Sequence, residues 1–270
     1  MTDFNGEINN LIKETKSAST ETDFGEVLKK IATVLKENFS IEHTITKAFR
    51  NISLEPKGVY FPEMYEKIKS QTLLDVKREI LGFFDDAKYE FSKQLINKPF
   101  EEIIKNEESQ FLEFKSTLCW DVKNSKVDKK AMGEIIMKSI SAFSNSDGGI
   151  LLIGVKDDKK ILGLSSDYKV FDNGNGNRDD FELHLTTLII NNFSKTFAKE
   201  NLSIEFPKFR SKDVCLIRIA KGNAPTTVKL SDKSGQLKEK FFIRINNSSR
   251  DIENLIELAR YIKKRFPEWE

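Results

Sequence analysis

Residues 108–115 read ESQFLEFK: Glu108, Ser109, Gln110, Phe111, Leu112, Glu113, Phe114 and Lys115. Apolar and charged residues alternate here with the period of a β-strand. On a strand, Phe111, Glu113 and Lys115 share one face, and Gln110, Leu112 and Phe114 share the other. Leu112 and Phe114 are expected to anchor a core, which leaves Glu113 and Lys115 together on an exposed face. Such a pair suits phosphodiester chemistry. The carboxylate can hold a divalent cation, and the ammonium can neutralise a phosphate or orient a water. One carboxylate holds Mg²⁺ poorly, so further acids are needed. Glu108 lies five residues earlier, although with 42 Asp and Glu in 270 residues that spacing alone carries no weight. A third acid can come from VKDDKK (155–160), which follows the apolar run ILLIGV, expected to be a central strand. There Asp157 or Asp158 either reaches into a cleft or fills a hairpin turn.

Upstream of this stretch the pattern is helical. Phe24, Val27, Ile31, Val34 and Leu35 form an apolar stripe along DFGEVLKKIATVLKENF. A longer helix is expected through residues 62–97, with Pro62 near its start, where proline is tolerated. NISLEPKGVYF (51–61) separates the two. Residues 1–98 are therefore expected to form a helical bundle or arm, with a boundary at Pro99. Downstream, helices and strands mix. KKAMGEIIMKSISAFSN (129–145) reads as an amphipathic helix, and SDGGILLIGVKDDKKILGLS (146–165) as turn, strand, charged turn and second strand. NGNGN is a flexible loop, and DDFELHLTTLIINNFSKTF is a helix with acids in its first turn. LSIEFPKF, DVCLIRIA, TTVKL and KFFIRI are four strands, and NLIELARYIKKRF closes the chain as a helix. The expected class for 99–270 is α+β, a mixed or antiparallel sheet with flanking helices, preceded by an all-helical region.

Composition narrows the function. No apolar run approaches the roughly 18 residues of a membrane span, and the polar, acidic start MTDFNGEINN has no leader-like apolar core. A cytoplasmic protein without membrane association is expected. Cys119 and Cys215 lack metal-type spacing and read as reduced thiols. The net charge of +2 is unevenly distributed. Residues 205–250 hold eleven Lys/Arg against four Asp/Glu, a local excess of +7, whereas residues 1–100 carry −1. A basic stretch of that size can hold a polyanion, or can simply be solvated. Within KEKFFIRINNSSR, Lys240, Phe242 and Arg244 share one strand face, with Arg250 beyond a polar turn and Lys229 and Lys238 before it. These five cations are candidate phosphate contacts, and Phe242 is more readily a core residue than a stacking platform. His184 reads as a packing or surface residue, and His43 has no readable role. GNGN at 174–177 lacks the context of a nucleotide-binding loop.

Three ordered stretches resemble the AlbA-type domain of the Schlafen family. ESQFLEFK matches the pattern E-S-x-x-x-E-F-K. AFSNSDGGILLIGVKD matches A-F-x-N-x-x-G-G-x-L-x-I-G-V-x-D. FFIRINNSSR is similar to F-x-V-R-x-G-N-S-T-R, with Asn246 where glycine is usual and Ser249 where threonine is usual. Asn tolerates left-handed backbone, so the turn is expected to survive. The resemblance spans about 100–268. It implies a nucleic-acid-binding fold, some members of which are metal-dependent endoribonucleases cutting tRNA and rRNA. By position, the catalytic set would be Glu108, Glu113, Lys115 and Asp157, and Glu108, Glu113 and Asp157 would bind Mg²⁺ or Mn²⁺. Structured RNA such as tRNA, or DNA, is the implied partner. A homodimer would supply the second lobe that larger members carry within one chain, and a bacterial defence or toxin role is the implied context. The alternative is a non-catalytic DNA- or RNA-binding regulator of the same fold.

Overall fold

The computed structural model describes residues 4–54, 62–121, 124–231 and 235–269. The chain divides into two compact units, Met1–Gln94 and Leu95–Glu270.

The first unit holds α1 (Phe4–Ser17), α2 (Glu21–Asn38), α3 (Thr44–Phe49) and α4 (Pro62–Gln94). A capping box starts α2. The Asp23 N–H donates to Thr20 Oγ1 at 3.2 Å, and the Thr20 N–H donates back to Asp23 Oδ2 at 2.9 Å. The expected stripe is real: Phe24, Val27, Ile31 and Leu35 are buried, with Val34 at its margin. It packs against Phe4, Ile8 and Leu11 of α1 and Ile80, Phe84 and Ala87 of α4, so the helices form a bundle with its own core. Residues 55–61 of the expected break lie outside the described residues. His43 caps α3, its Nδ1 accepting from the Ile45 N–H at 3.3 Å, and its Nε2 stands 3.9 Å from Glu90.

The second unit is α+β. It opens with α5 (Phe100–Ile103), β1 (Leu112–Lys115), β2 (Trp120–Asp121), β3 (Lys126–Val127), α6 (Lys129–Asn145) and β4 (Gly149–Ile153). The helices α7 (Ser165–Tyr168), α8 (Arg178–Asn192) and α9 (Lys195–Asn201) follow. Then come β5 (Leu202–Glu205), β6 (Lys208–Phe209), β7 (Lys212–Asp213), β8 (Cys215–Ile219), β9 (Thr227–Ser231), β10 (Leu237–Ile245), β11 (Ser248–Asp251) and α10 (Leu255–Arg265). A four-stranded sheet runs β1-β4-β8-β5, with β1 and β4 parallel and the other pairs antiparallel. An antiparallel three-stranded sheet runs β11-β10-β9. The second strand expected after KDDKK is reduced to one bridge, Val155 to Ile161. NGNGN is partly ordered by Asn177, whose side chain caps α8.

Each face of the larger sheet has a distinct covering. Leu112, Phe114, Ile150, Leu152 and Leu216 pack with Phe100 and Ile103. On the other face, Leu151, Ile153, Cys215 and Ile217 join Ile136, Ile140 and Phe143 of α6 and Phe181, Leu185 and Ile189 of α8. Val228 and Phe242 of the smaller sheet enter this same cluster, so α6 packs on both sheets, and Phe242 is a core residue. The opposite face of β10 carries Phe241 and Ile243 against Tyr261, Ile262 and Phe266 of the C-terminal segment.

The C-terminal end of α6 is a polar junction inside this core. The buried Asn145 side chain donates to the carbonyls of Thr226 (2.8 Å) and Phe242 (2.9 Å) and accepts from the Thr226 N–H (2.9 Å). Tyr261 donates to the Asn145 carbonyl at 2.8 Å, and the Arg265 guanidinium donates to the carbonyls of Ser144, Ser146 and Gly222. The turn into β4 needs glycine. Gly148 has φ +79°, and a Cβ there would lie 2.7 Å from the Ile219 carbonyl; a Cβ on Gly149 would lie 2.3 Å from the Phe143 ring. Among the described residues, no helix is long and apolar enough to cross a membrane.

Asn145→Ala removes three hydrogen bonds to backbone and strands the Phe242 carbonyl and the Thr226 N–H, each costing about 1–3 kcal/mol when unpaired. The expected loss is about 2–4 kcal/mol, read as a lower urea midpoint with an unchanged m-value.

Candidate functional site

The strand reading of 108–115 sorts the side chains onto the right faces and misjudges one of them. Glu113 pairs in register with Leu151, on the face that α6 covers. It is therefore 7% exposed rather than solvent-facing. The covering elements supply its partners. Ser139 of α6 donates to Oε1 at 3.0 Å, Lys115 Nζ stands 2.6 Å from the same oxygen, and Arg244 of β10 donates to Oε2. A carboxylate taken out of water needs such compensation.

Glu108 is half-buried beside this cluster, and its Oε1 accepts from the Phe114 N–H at 2.7 Å. Burial raises its carboxyl above the ordinary value; the Phe114 N–H and the Lys115 ammonium pull the other way, and the charges of Asp157 and Glu113 add to the rise. The three expected acids thus share one electrostatic neighbourhood. Asp157 is exposed in the turn after β4, and neighbouring Asp158 accepts from the Lys160 N–H at 3.0 Å, an ordinary turn role. Lys115 also donates to the Phe114 carbonyl at 2.8 Å.

A divalent cation does not fit this set as arranged. Both oxygens of Glu113 are engaged by cationic partners, and among the described residues no three His, Cys, Asp or Glu form a group able to hold a metal ion.

The five candidate phosphate contacts do not form one surface. In the β9–β10 register, Lys238 pairs with Leu230 and Lys240 with Val228, which puts both on the Phe242 face that meets α6; Lys229 pairs with Glu239 on the opposite one. Arg250 lies opposite Ile243, on the α10 side. Arg244 is no surface cation. It is 4% exposed, donates to Glu113, to Ser249 Oγ (3.1 Å) and to the Ser109 carbonyl (2.8 Å), and stands 4.5 Å from the Phe143 ring. Its burial follows from its place between Phe242 and the turn, where the alternate face of β10 meets α6 and β1. Lys240 is held by Asp251 at 2.7 Å and Glu253 at 3.6 Å, and the Asp251 hydrogen bond raises its ammonium above the ordinary value. Lys229 makes a loose exposed pair with Glu239 at 3.8 Å, worth little in water. Arg250 and Lys238 are exposed.

Two polar residues were missed in the sequence. Asp167, buried, accepts from Thr117 Oγ1 (2.5 Å) and from the Leu118 and Cys119 N–H groups (3.0 and 2.8 Å), ordering the segment that leaves β1. Ser139 meets Glu113 from a helix whose apolar periodicity gave no reason to single it out. His184 packs 5.4 Å from the Phe171 ring, and burial lowers its imidazolium pKa.

Removing either partner of the Glu113–Arg244 pair leaves a buried charge. Glu113→Gln and Arg244→Met are each expected to cost about 3–5 kcal/mol in urea unfolding, with the double variant costing less than the sum. Glu108 behaves differently. Its folded pKa is raised, so its ionised form is disfavoured by the fold; that penalty is full above the folded pKa and fades as pH falls towards the ordinary carboxyl value. Glu108→Gln keeps an acceptor for the Phe114 N–H. It is expected to match or exceed the parent melting temperature at pH 7, with any advantage shrinking on acidification. A variant clearly less stable at pH 7 would contradict this account.

A similar solved structure is that of the DIP2311 protein from Corynebacterium diphtheriae, 16% identical, with a TM-score of 0.41. The match covers 64% of this chain and 29% of that one. The family described as "Schlafen, AlbA_2" matches residues 108–253, just over half of the sequence and the span from Glu108 to the end of the smaller sheet. The chain belongs to the Schlafen AlbA_2 family.

Proposed function

We propose that the chain is a nucleic-acid-binding protein whose buried Glu113 ties the fold together instead of ligating a metal. The observation that carries this reading is the engagement of both Glu113 oxygens by Arg244, Lys115 and Ser139. A ligand for Mg²⁺ must offer a lone pair to the ion, and here three of the roughly four lone-pair sites of the carboxylate face guanidinium, ammonium and hydroxyl donors. The family supports the nucleic-acid partner, and the basic excess of residues 205–250 supports a polyanion. Exposed Lys229, Lys238 and Arg250 would add phosphate contacts, which position a strand without reading its sequence. RNA, tRNA included, and DNA are both within this chemistry, and a homodimer would double the basic surface.

A second reading has its own observation. Glu108 feels the charges of both Asp157 and Glu113, a crowding of carboxylates that a bound cation would relieve. That is the metal-dependent endoribonuclease, with Glu108, Glu113 and Asp157 as ligands and Lys115 offsetting phosphate charge. It requires Glu113 to exchange its present partners for the ion.

The two readings diverge in one assay. Purified protein is mixed with tRNA and with single- and double-stranded DNA, in Mg²⁺, in Mn²⁺ and in EDTA. The binding reading expects intact substrates and equal affinity with and without metal. Metal-dependent cutting of tRNA that Glu108→Gln abolishes would establish the nuclease instead. Affinity is also expected to fall steeply with salt, and Arg250→Ala to flatten that slope by about one phosphate contact.

A further inference from the structure

A separate group of cations lies away from the β10 residues. Three loops converge on a cavity of about 570 Å³: the turn after α5, the turn after β4 and the β6–β7 hairpin. Lys105, Lys159, Lys160, Arg210 and Lys212 line it, against a single lining carboxylate, Glu101. The remaining wall is apolar, from Ile104, Ile161 and Phe209. Two of the cations are committed. Lys159 pairs with Glu107, and Lys212 donates to the Ile161 carbonyl at 2.9 Å. Lys105, Lys160 and Arg210 are exposed, and among the described residues none of them has an ion-pair partner.

Gathering like charges around a cavity is unfavourable unless an anion neutralises them. The hairpin adds a second argument. Its turn residues Arg210 and Ser211 have φ of +47° and +68°. A two-residue turn of that kind favours Asn-Gly, so an arginine there is the costlier choice for the backbone. Its side chain is used: the guanidinium stands 5.3 Å from the Phe209 ring centroid, a flat cationic surface over an aromatic one.

The geometry points to this cavity as a site for a nucleotide of single-stranded nucleic acid, its phosphates held by Lys105 and Lys160 and its base stacked on Arg210. The cavity has the volume of a small-ligand site, too small to admit a duplex. Guanidinium and aromatic planes are the surfaces on which unpaired bases stack. The site also adjoins the acidic neighbourhood. Lys159 and Lys160 follow Asp157 in the same turn, and Glu107, which Lys159 holds, precedes Glu108. The inference rests on the nucleic-acid-binding reading above and specifies where and in what form the strand is held.

The test uses the full chain and a fluorescent twelve-nucleotide oligouridylate, with a duplex RNA of equal length alongside. Anisotropy is followed across a salt series. The triple variant Lys105→Ala, Lys160→Ala, Arg210→Ala is expected to lose at least tenfold in affinity for the single strand. Its plot of log affinity against log salt should flatten by about 1.4, the value for two lost phosphate contacts at about 0.7 each. Arg210→Lys keeps the charge and removes the planar surface, so it should weaken binding while keeping the slope. Lys229→Ala with Arg250→Ala should weaken it less than the triple variant does. If the parent binds the single strand and both the triple variant and Arg210→Lys bind equally well, the cavity assignment is wrong and the broader reading stands. A parent that binds neither RNA, nor single- or double-stranded DNA of the same length, overturns both. Preference for the duplex, or displacement of the oligomer by micromolar uridine monophosphate, would also overturn the strand assignment, the latter in favour of a free nucleotide.

Discussion

The contact between Glu113 and Arg244 couples two sheets that share no strand. Glu113 sits on β1 of the larger sheet and Arg244 on β10 of the smaller one, 131 residues later. Both side chains are nearly out of water, so each needs the other's charge, and the geometry that satisfies them admits little slippage. A one-residue shift of β1 would turn Glu113 into the Leu112–Phe114 core, and the same shift of β10 would turn Arg244 towards Tyr261 and Ile262. Ser139 and Asn145, on the helix between the sheets, add polar contacts that fix the position of α6. An apolar core alone would hold these layers together with less regard to register.

How much of this was legible depends on which interactions are local. Strand alternation assigned Leu112, Phe114 and Glu113 to their faces, because a period of two is fixed by the backbone itself. It could not say which face is wet. That depends on α6 and β10, whose packing is a property of the whole domain. The same limit explains the basic stretch. A charge count over residues 205–250 records an excess, but Lys240–Asp251 and Lys229–Glu239 are cross-strand pairs set by register. Local backbone chemistry was readable: Asn246 takes φ +54°, the left-handed turn expected of an asparagine in a glycine's place. β11 was missed because SSRD lacks the β-branched and aromatic residues that mark a strand. It forms because β10 offers a backbone edge to pair with.

The charge excess does not vanish in the folded chain; it moves. The cations of β10 are largely consumed inside the second unit, by Glu113 for Arg244 and by Asp251 and Glu253 for Lys240. Arg210 and Lys212, from the start of the same basic stretch, instead meet Lys105 and Lys160 from two other loops. No window along the sequence brings these four together. Loop convergence does, on a rigid scaffold of the kind that positions binding residues in other folds.

The residues that identify the family are, in this chain, mostly residues that the fold cannot do without. Asn145 joins α6 to β9 and β10, Gly148 and Gly149 let the chain turn under Phe143 and past Ile219, and Glu113 and Arg244 close the layers on one another. They come from all three matching stretches and converge around the ends of α6 and β1. A match to such a pattern therefore carries the architecture with it, because losing any one member leaves an unpaired buried group or a steric clash. It carries activity only through members that the fold does not need. Asp157 is of that kind, exposed on a turn. Function in this protein is best sought where charge remains after the fold has satisfied itself.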